Sequence, residues 1–104
     1  MSGYRLLAAA ERRIGEIYLY TLETWGEAQA RRYVFDLYDV FEQIATGQAV
    51  SQPIPASYGI QGFVTRHGSH RIYWRRLEDG RVGIVTVLHA RMDLPRHLRD
   101  DLPP

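Results

Sequence analysis

The stretch from Phe63 to Asp93 alternates apolar and polar residues and is cut by two glycine-containing reversals, which leaves few ways for this chain to fold. Its period of two predicts three antiparallel strands, Phe63–His67, His70–Leu77 and Arg81–His89, with successive side chains turned to opposite faces. Gly68-Ser69 has the glycine-first order of a two-residue type II′ hairpin, because glycine takes a positive φ at that position without steric penalty. Asp79-Gly80 permits the next reversal, predicted as a three-residue loop with its glycine in the left-handed region. In the second strand His70, Ile72, Trp74 and Arg76 share one face, and Arg71, Tyr73, Arg75 and Leu77 the other. In the third, Val82, Ile84, Thr86 and Leu88 alternate with Gly83, Val85, Val87 and His89. Hydrophobicity on both sides predicts a central, doubly covered strand.

The front half changes period. After a short strand at Tyr4–Leu7, Ala10, Ile14, Ile17, Tyr18, Thr21, Leu22 and Trp25 follow the three-and-four spacing of one helix face, and Gly26 ends that helix as a left-handed cap. A second helix begins at Glu27, carries Ala30, Tyr33, Val34, Leu37, Phe41 and Ile44 on one stripe, and stops at Thr46-Gly47. A single glycine between the two leaves room only for an antiparallel hairpin, so the stripes face the sheet and their aromatics are expected in the core. From Gly47 to Gly62, Gln48, Ser51, Gln52, Pro53, Pro55 and Ser57 break any period, which predicts a long loop that wraps the surface or forms part of a binding site. The class is α+β, with residues 1–104 expected as one domain, too short for a second core.

Composition excludes several chemistries. The chain has no cysteine, so disulfides, thiolate metal sites and cysteine nucleophiles are ruled out. No apolar run approaches the length of a spanning helix and no signal-peptide pattern opens the chain, which points to a soluble, cytoplasmic protein. The net charge of +1 is unevenly spread: residues 1–65 hold five arginines against seven acids, whereas residues 66–99 hold eight arginines against Glu78, Asp79 and Asp93. All thirteen basic residues are arginine, which favours bidentate contacts to carboxylates or phosphates, although codon bias alone accounts for the missing lysine.

No Gly-rich phosphate loop, helical His-Glu-x-x-His or nucleophile elbow is present, and no cofactor is expected. His67 and His70 flank a tight turn, but no carboxylate stands beside them at ligand spacing, so no metal is expected. A metal-free ribonuclease needs a base, an acid and a cation for the phosphorane charge; His89, Arg91, His97 and Arg75 are the residues available for that work. The alternative for His89 is a buried ring donating to backbone, and for His97 a place on a helix surface.

Trp25-Gly26-Glu27-Ala28-Gln29-Ala30 with Tyr33 and Leu37, then Ser69-His70-Arg71-Ile72-Tyr73-Trp74-Arg75, Asp79-Gly80, Val87-Leu88-His89-Ala90-Arg91-Met92-Asp93 and His97-Leu98, resemble in their order the ParE toxins of the RelE/ParE superfamily. The resemblance covers nearly the whole chain. It implies a strand, a two-helix hairpin on a mainly antiparallel sheet and a short C-terminal helix. It also implies a type II toxin, a ParD-like antitoxin, and DNA gyrase as the target, inhibited by binding and without sequence-specific contact to nucleic acid. A RelE-like ribosome-dependent mRNA endonuclease and an inactive copy that only binds its antitoxin are the alternatives. Family members commonly carry an acidic residue followed by leucine where this chain has Arg13-Ile14, a difference expected to lie on the surface. For an acidic, amphipathic antitoxin segment the expected contacts are Arg71, Tyr73, Arg75 and Arg76 together with Tyr18, Trp25, Tyr33 and Leu37 on the helices. For the target they are Arg91, Met92, His97, Leu98 and Arg99.

Overall fold

Both reversals form where glycine allows them. In the computed structural model, which describes residues 3–103, His67 pairs with His70 across a two-residue turn in which Gly68 takes φ 57° and Ser69 stays at negative φ, as a type II′ turn requires. Leu77 and Arg81 bracket the second loop, Leu77 N–H donating to the Arg81 carbonyl at 2.8 Å with Gly80 at φ 86°.

The chain order is β1 (Tyr4–Leu6), α1 (Ala8–Trp25), α2 (Glu27–Ala45), β2 (Gln52–Pro53), β3 (Phe63–His67), β4 (His70–Arg76), β5 (Val82–His89) and α3 (Leu94–Asp101). Among the described residues the sheet has five strands in the order β1-β5-β4-β3-β2; β1 runs parallel to β5 and every other neighbour is antiparallel. Gly26, at φ 94°, caps both helices: its N–H donates to Leu22 O and its carbonyl accepts from Ala30 N. One shared cap residue folds α2 back along α1.

The expected loop from Gly47 to Gly62 contains structure that its sequence hides. Gln52 and Pro53 pair with Val64 and Phe63 as an edge strand, where proline's missing donor faces outward, and a 3-10 turn follows at Ala56–Tyr58. Gly62, at φ 146°, lies so close to the sheet that a Cβ there would stand 2.9 Å from the Trp74 carbonyl oxygen.

β5 is central and is buried from Val82 to Leu88, as its two-sided hydrophobicity predicts. Its faces are not the expected ones. Tyr73 pairs with Thr86 and Trp74 with Ile84, so Val85 is an extra residue that resets the alternation. Val82, Ile84 and Val87 therefore join Ile72, Trp74 and the helix residues Ala10, Ile14, Leu37, Phe41 and Ile44 in one core. Val85 and Leu88 join Tyr73, Leu7, Ile54 and Leu98 in a second core on the opposite face, beneath α3. Trp74 extends from the first core to the edge, where its Nε1–H donates to Thr65 Oγ1 at 3.1 Å and Ser51 Oγ at 3.3 Å while its ring stacks on Phe63.

α3 is latched to α1 by charge. Asp101, its side chain 1% exposed, accepts from Arg13 Nε at 2.9 Å and Nη2 at 3.2 Å, from Arg12 Nη2 at 2.9 Å and from Thr86 Oγ1 at 2.7 Å. Arg13 is thus a partly buried anchor and not the surface substitution expected for it. Burial pushes the Asp101 carboxyl up, but the bonds from Arg13 and Thr86 and the two guanidinium charges outweigh it and leave the group below its ordinary range. None of the described helices is long and apolar enough to cross a membrane.

Candidate functional site

One flank of α1 walls an open concavity. Arg13, Glu16, Ile17, Tyr20, Thr21 and Trp25 recur at three- and four-residue spacing along one flank of α1, which places them on a stripe beside the core stripe. Facing them are Gln29 and Tyr33 from α2, the turn Gly68–His70, and Val87, His89 and Met92, so that a groove of about 580 Å³ opens between the hairpin and the end of the sheet. Its floor is Val87 and Thr21, the latter with its hydroxyl donated to Ile17 O at 2.7 Å. Its rim is aromatic. Tyr20 is 68% exposed and Trp25 64%, so Trp25 lies on the groove rim and not in the core position expected for it.

At one end of the groove Tyr33 packs between histidines. Its ring centroid lies 5.6 Å from His67 and 5.4 Å from His70, its hydroxyl is 2.5 Å from His70 Nδ1, and His89 meets His70 edge-on at 5.3 Å. Burial first, then the neighbouring charges of His89, His67 and Arg71, push the His70 ring down to about 4, so it is neutral at pH 7. Burial, with Asp36 nearby, raises the Tyr33 phenol. Among the described residues no group of three or more His, Asp or Glu converges as a metal site.

The expected ribonuclease residues come together only in part: His89 and Arg91 meet, and Arg75 stands apart. His89 Nδ1 accepts from the Arg91 backbone N–H at 3.1 Å, the reverse of the donation expected of it, and Arg91 itself is exposed. Arg75 pairs with Gly83, whereas His89 pairs with His70, so these two residues stand at opposite ends of the β4–β5 ladder.

The expected antitoxin contacts divide between two faces. Trp25 and Tyr33 line the groove, Tyr18 is half-buried outside it, and Arg71 and Tyr73 line a smaller hollow on the far face of the sheet. Arg75 is half-buried, and exposed Arg76 donates to the Gly80 carbonyl at 3.2 Å. Packing withdraws Leu37 and Leu98 from any contact surface, since both are wholly buried in a core between helix and sheet, and it leaves Tyr73 2% exposed, reaching only the wall of the hollow. Of the other residues expected to meet a target, Arg91 and Arg99 are exposed, His97 is half-buried beside Arg13, and Met92 is half-buried in the groove wall. Sequence reasoning missed Tyr20, whose place on the α1 flank was legible from its spacing to Ile17 and Glu16. It also missed the Asp101 latch, for which no local signal exists.

Comparison with known proteins agrees with this architecture. Residues 4–94 match the family described as ParE toxin of type II toxin-antitoxin system, parDE. The chain is 32% identical over 101 residues to Toxin ParE1 of Mycobacterium tuberculosis, covering 93% of this chain and 98% of that one. It is 32% identical over 106 residues to Toxin ParE of Escherichia coli, covering 98% of each, and 33% identical over 101 residues to Toxin ParE1 of Caulobacter vibrioides, covering 94% of this chain and 99% of that one. With the hairpin, the mixed sheet and the C-terminal helix in their expected order, the chain belongs to the ParE toxin family of type II toxin-antitoxin systems.

Proposed function

We propose that the protein is a toxin neutralised by a ParD-like antitoxin and that it acts in the cytoplasm by binding DNA gyrase, not by chemistry. The observation that carries this reading is the open groove with Tyr20 and Trp25 on its rim. Two large aromatics so exposed are characteristic of a surface that a partner covers, and an amphipathic helix laying its apolar side chains between them is the occupant that fits. Arg91 and Arg99, exposed around α3, are the target contacts. The separation of Arg75 from His89 speaks against a catalytic constellation.

The test is induction of the protein in cells with and without the small open reading frame beside its gene. Growth arrest, gyrase-trapped DNA breaks and an SOS response are expected, all relieved by the neighbouring protein. Messages cut on ribosomes with gyrase untouched would replace this reading by the endonuclease one. His89→Ala and Arg91→Ala separate the two further: full toxicity of His89→Ala is expected, and its loss in both variants with folding intact would point to catalysis.

A further inference from the structure

The sheet face turned away from the hairpin carries a second hollow, of about 190 Å³, between β2 with its following 3-10 turn and the start of α3. Arg66 and Arg71 stand directly opposite each other across β3 and β4, flanked by Tyr58, Val64, Tyr73 and Leu94. Like charges in directly opposed strand positions destabilise a sheet, so this pair calls for a counter-charge. None is supplied. No residue lining the hollow is acidic, and no ion pair among the described residues involves Arg66 or Arg71. Asp93, next to Leu94 in the chain, is engaged with Arg96.

Arg71 Nη1 donates to the Gly68 and His70 carbonyls at 3.4 and 3.2 Å, which leaves the rest of its fork open. Burial, with Tyr58 beside it, pushes the Tyr73 phenol up to about 12, so Tyr73 stays neutral. We propose that this hollow binds a phosphoryl group, held between the guanidinium forks of Arg66 and Arg71 with the Tyr58–Tyr73 pair at its wall. Two cations match a phosphate dianion better than a single carboxylate, and a tetrahedral group offers oxygens to both forks at once. The histidines lie elsewhere: His67, His70 and His89 pack around Tyr33 and each other at the groove, and His97 lies beside Arg13. With no group that exchanges a proton near neutral pH, the hollow holds the phosphoryl group without breaking a P–O bond. That group can come from a free nucleotide or from a nucleic-acid backbone.

The purified full chain is titrated by calorimetry and by thermal melting with inorganic phosphate, adenosine monophosphate and a single-stranded oligonucleotide lacking a terminal phosphate. Each titration is set against sodium chloride at matched ionic strength. Saturable phosphate binding and a raised Tm are expected. Arg66→Gln weakens binding by about tenfold or more, and Arg32→Gln, exposed on α2, leaves it unchanged. Tighter binding of the nucleotide or of the oligonucleotide supports the site and assigns its source. The proposal is overturned if phosphate does no more than chloride, if Arg66→Gln binds phosphate like the wild type, or if a glutamate-rich peptide occupies the hollow more tightly than any phosphate. The wild-type melting shift remains decisive even if an arginine variant fails to fold.

Discussion

The two faces of the sheet leave different things exposed. On the hairpin side the open groove is aromatic and histidine-lined, with Arg13 neutralised by Asp101 and Glu16. On the α3 side Arg66 and Arg71 meet across the strands with no acid between them. β5 supplies apolar side chains to both cores, and the extra residue Val85 decides which of them faces which. The difference teaches that one small sheet can keep an open aromatic groove and an unpaired cluster of positive charge on opposite faces. The faces are joined at Asp101, which ties α3 to α1 and to β5.

The strongest way to break this comparison is to cut that tie. Asp101→Ala strands Arg13 beside a buried cavity and should destabilise the fold by about 3 kcal/mol, lowering Tm on the order of 15 °C in calorimetry. A loss under about 1 kcal/mol would mean that the two faces hold together without the latch. The next effect concerns binding alone. Tyr20→Ala with Trp25→Ala should weaken the antitoxin by about thirtyfold or more while stability changes by no more than about 0.5 kcal/mol, because both rings are exposed. Unchanged affinity would move the antitoxin off the groove side.

The smallest effect sharpens the contrast through pH. His70 has a folded pKa of about 4 against an ordinary 6.5, so the unfolded chain takes up its proton first; its contribution to stability is complete above 6.5 and is lost as pH falls from there toward 4. Asp101 is held below 3.8, so its contribution is present above that value and disappears only at lower pH. Acid should therefore loosen the groove side before the latch. Urea midpoints measured at about pH 7.5, about pH 5 and about pH 3 test the order. A midpoint unchanged between the first two would show that His70 protonates freely in the folded protein.

Much of the architecture was legible because its reversals need glycine. Gly26, Gly68 and Gly80 punctuate the sequence, and all three take positive φ. The periods between them then assign helix and strand. What escaped has no local marker. Nothing in Ile84-Val85-Thr86 announces a bulge, and its effect is to exchange faces for every residue that follows it. Gln52-Pro53 is too short and too proline-bearing to read as a strand until β3 is there to pair with it. For the site, helical spacing found the apolar stripe but not which of its members the sheet covers, which is why Trp25 was expected inside. The Arg13–Asp101 bond spans 88 positions, and only the finished fold brings its members together.

The pairing of β1 with β5 has a consequence for how the chain is made. Tyr4 needs Val82 beside it and Arg13 needs Asp101, so the opening segments emerge from the ribosome long before their partners exist. The native surface is assembled only after Val82 and Asp101 have emerged to meet these early segments.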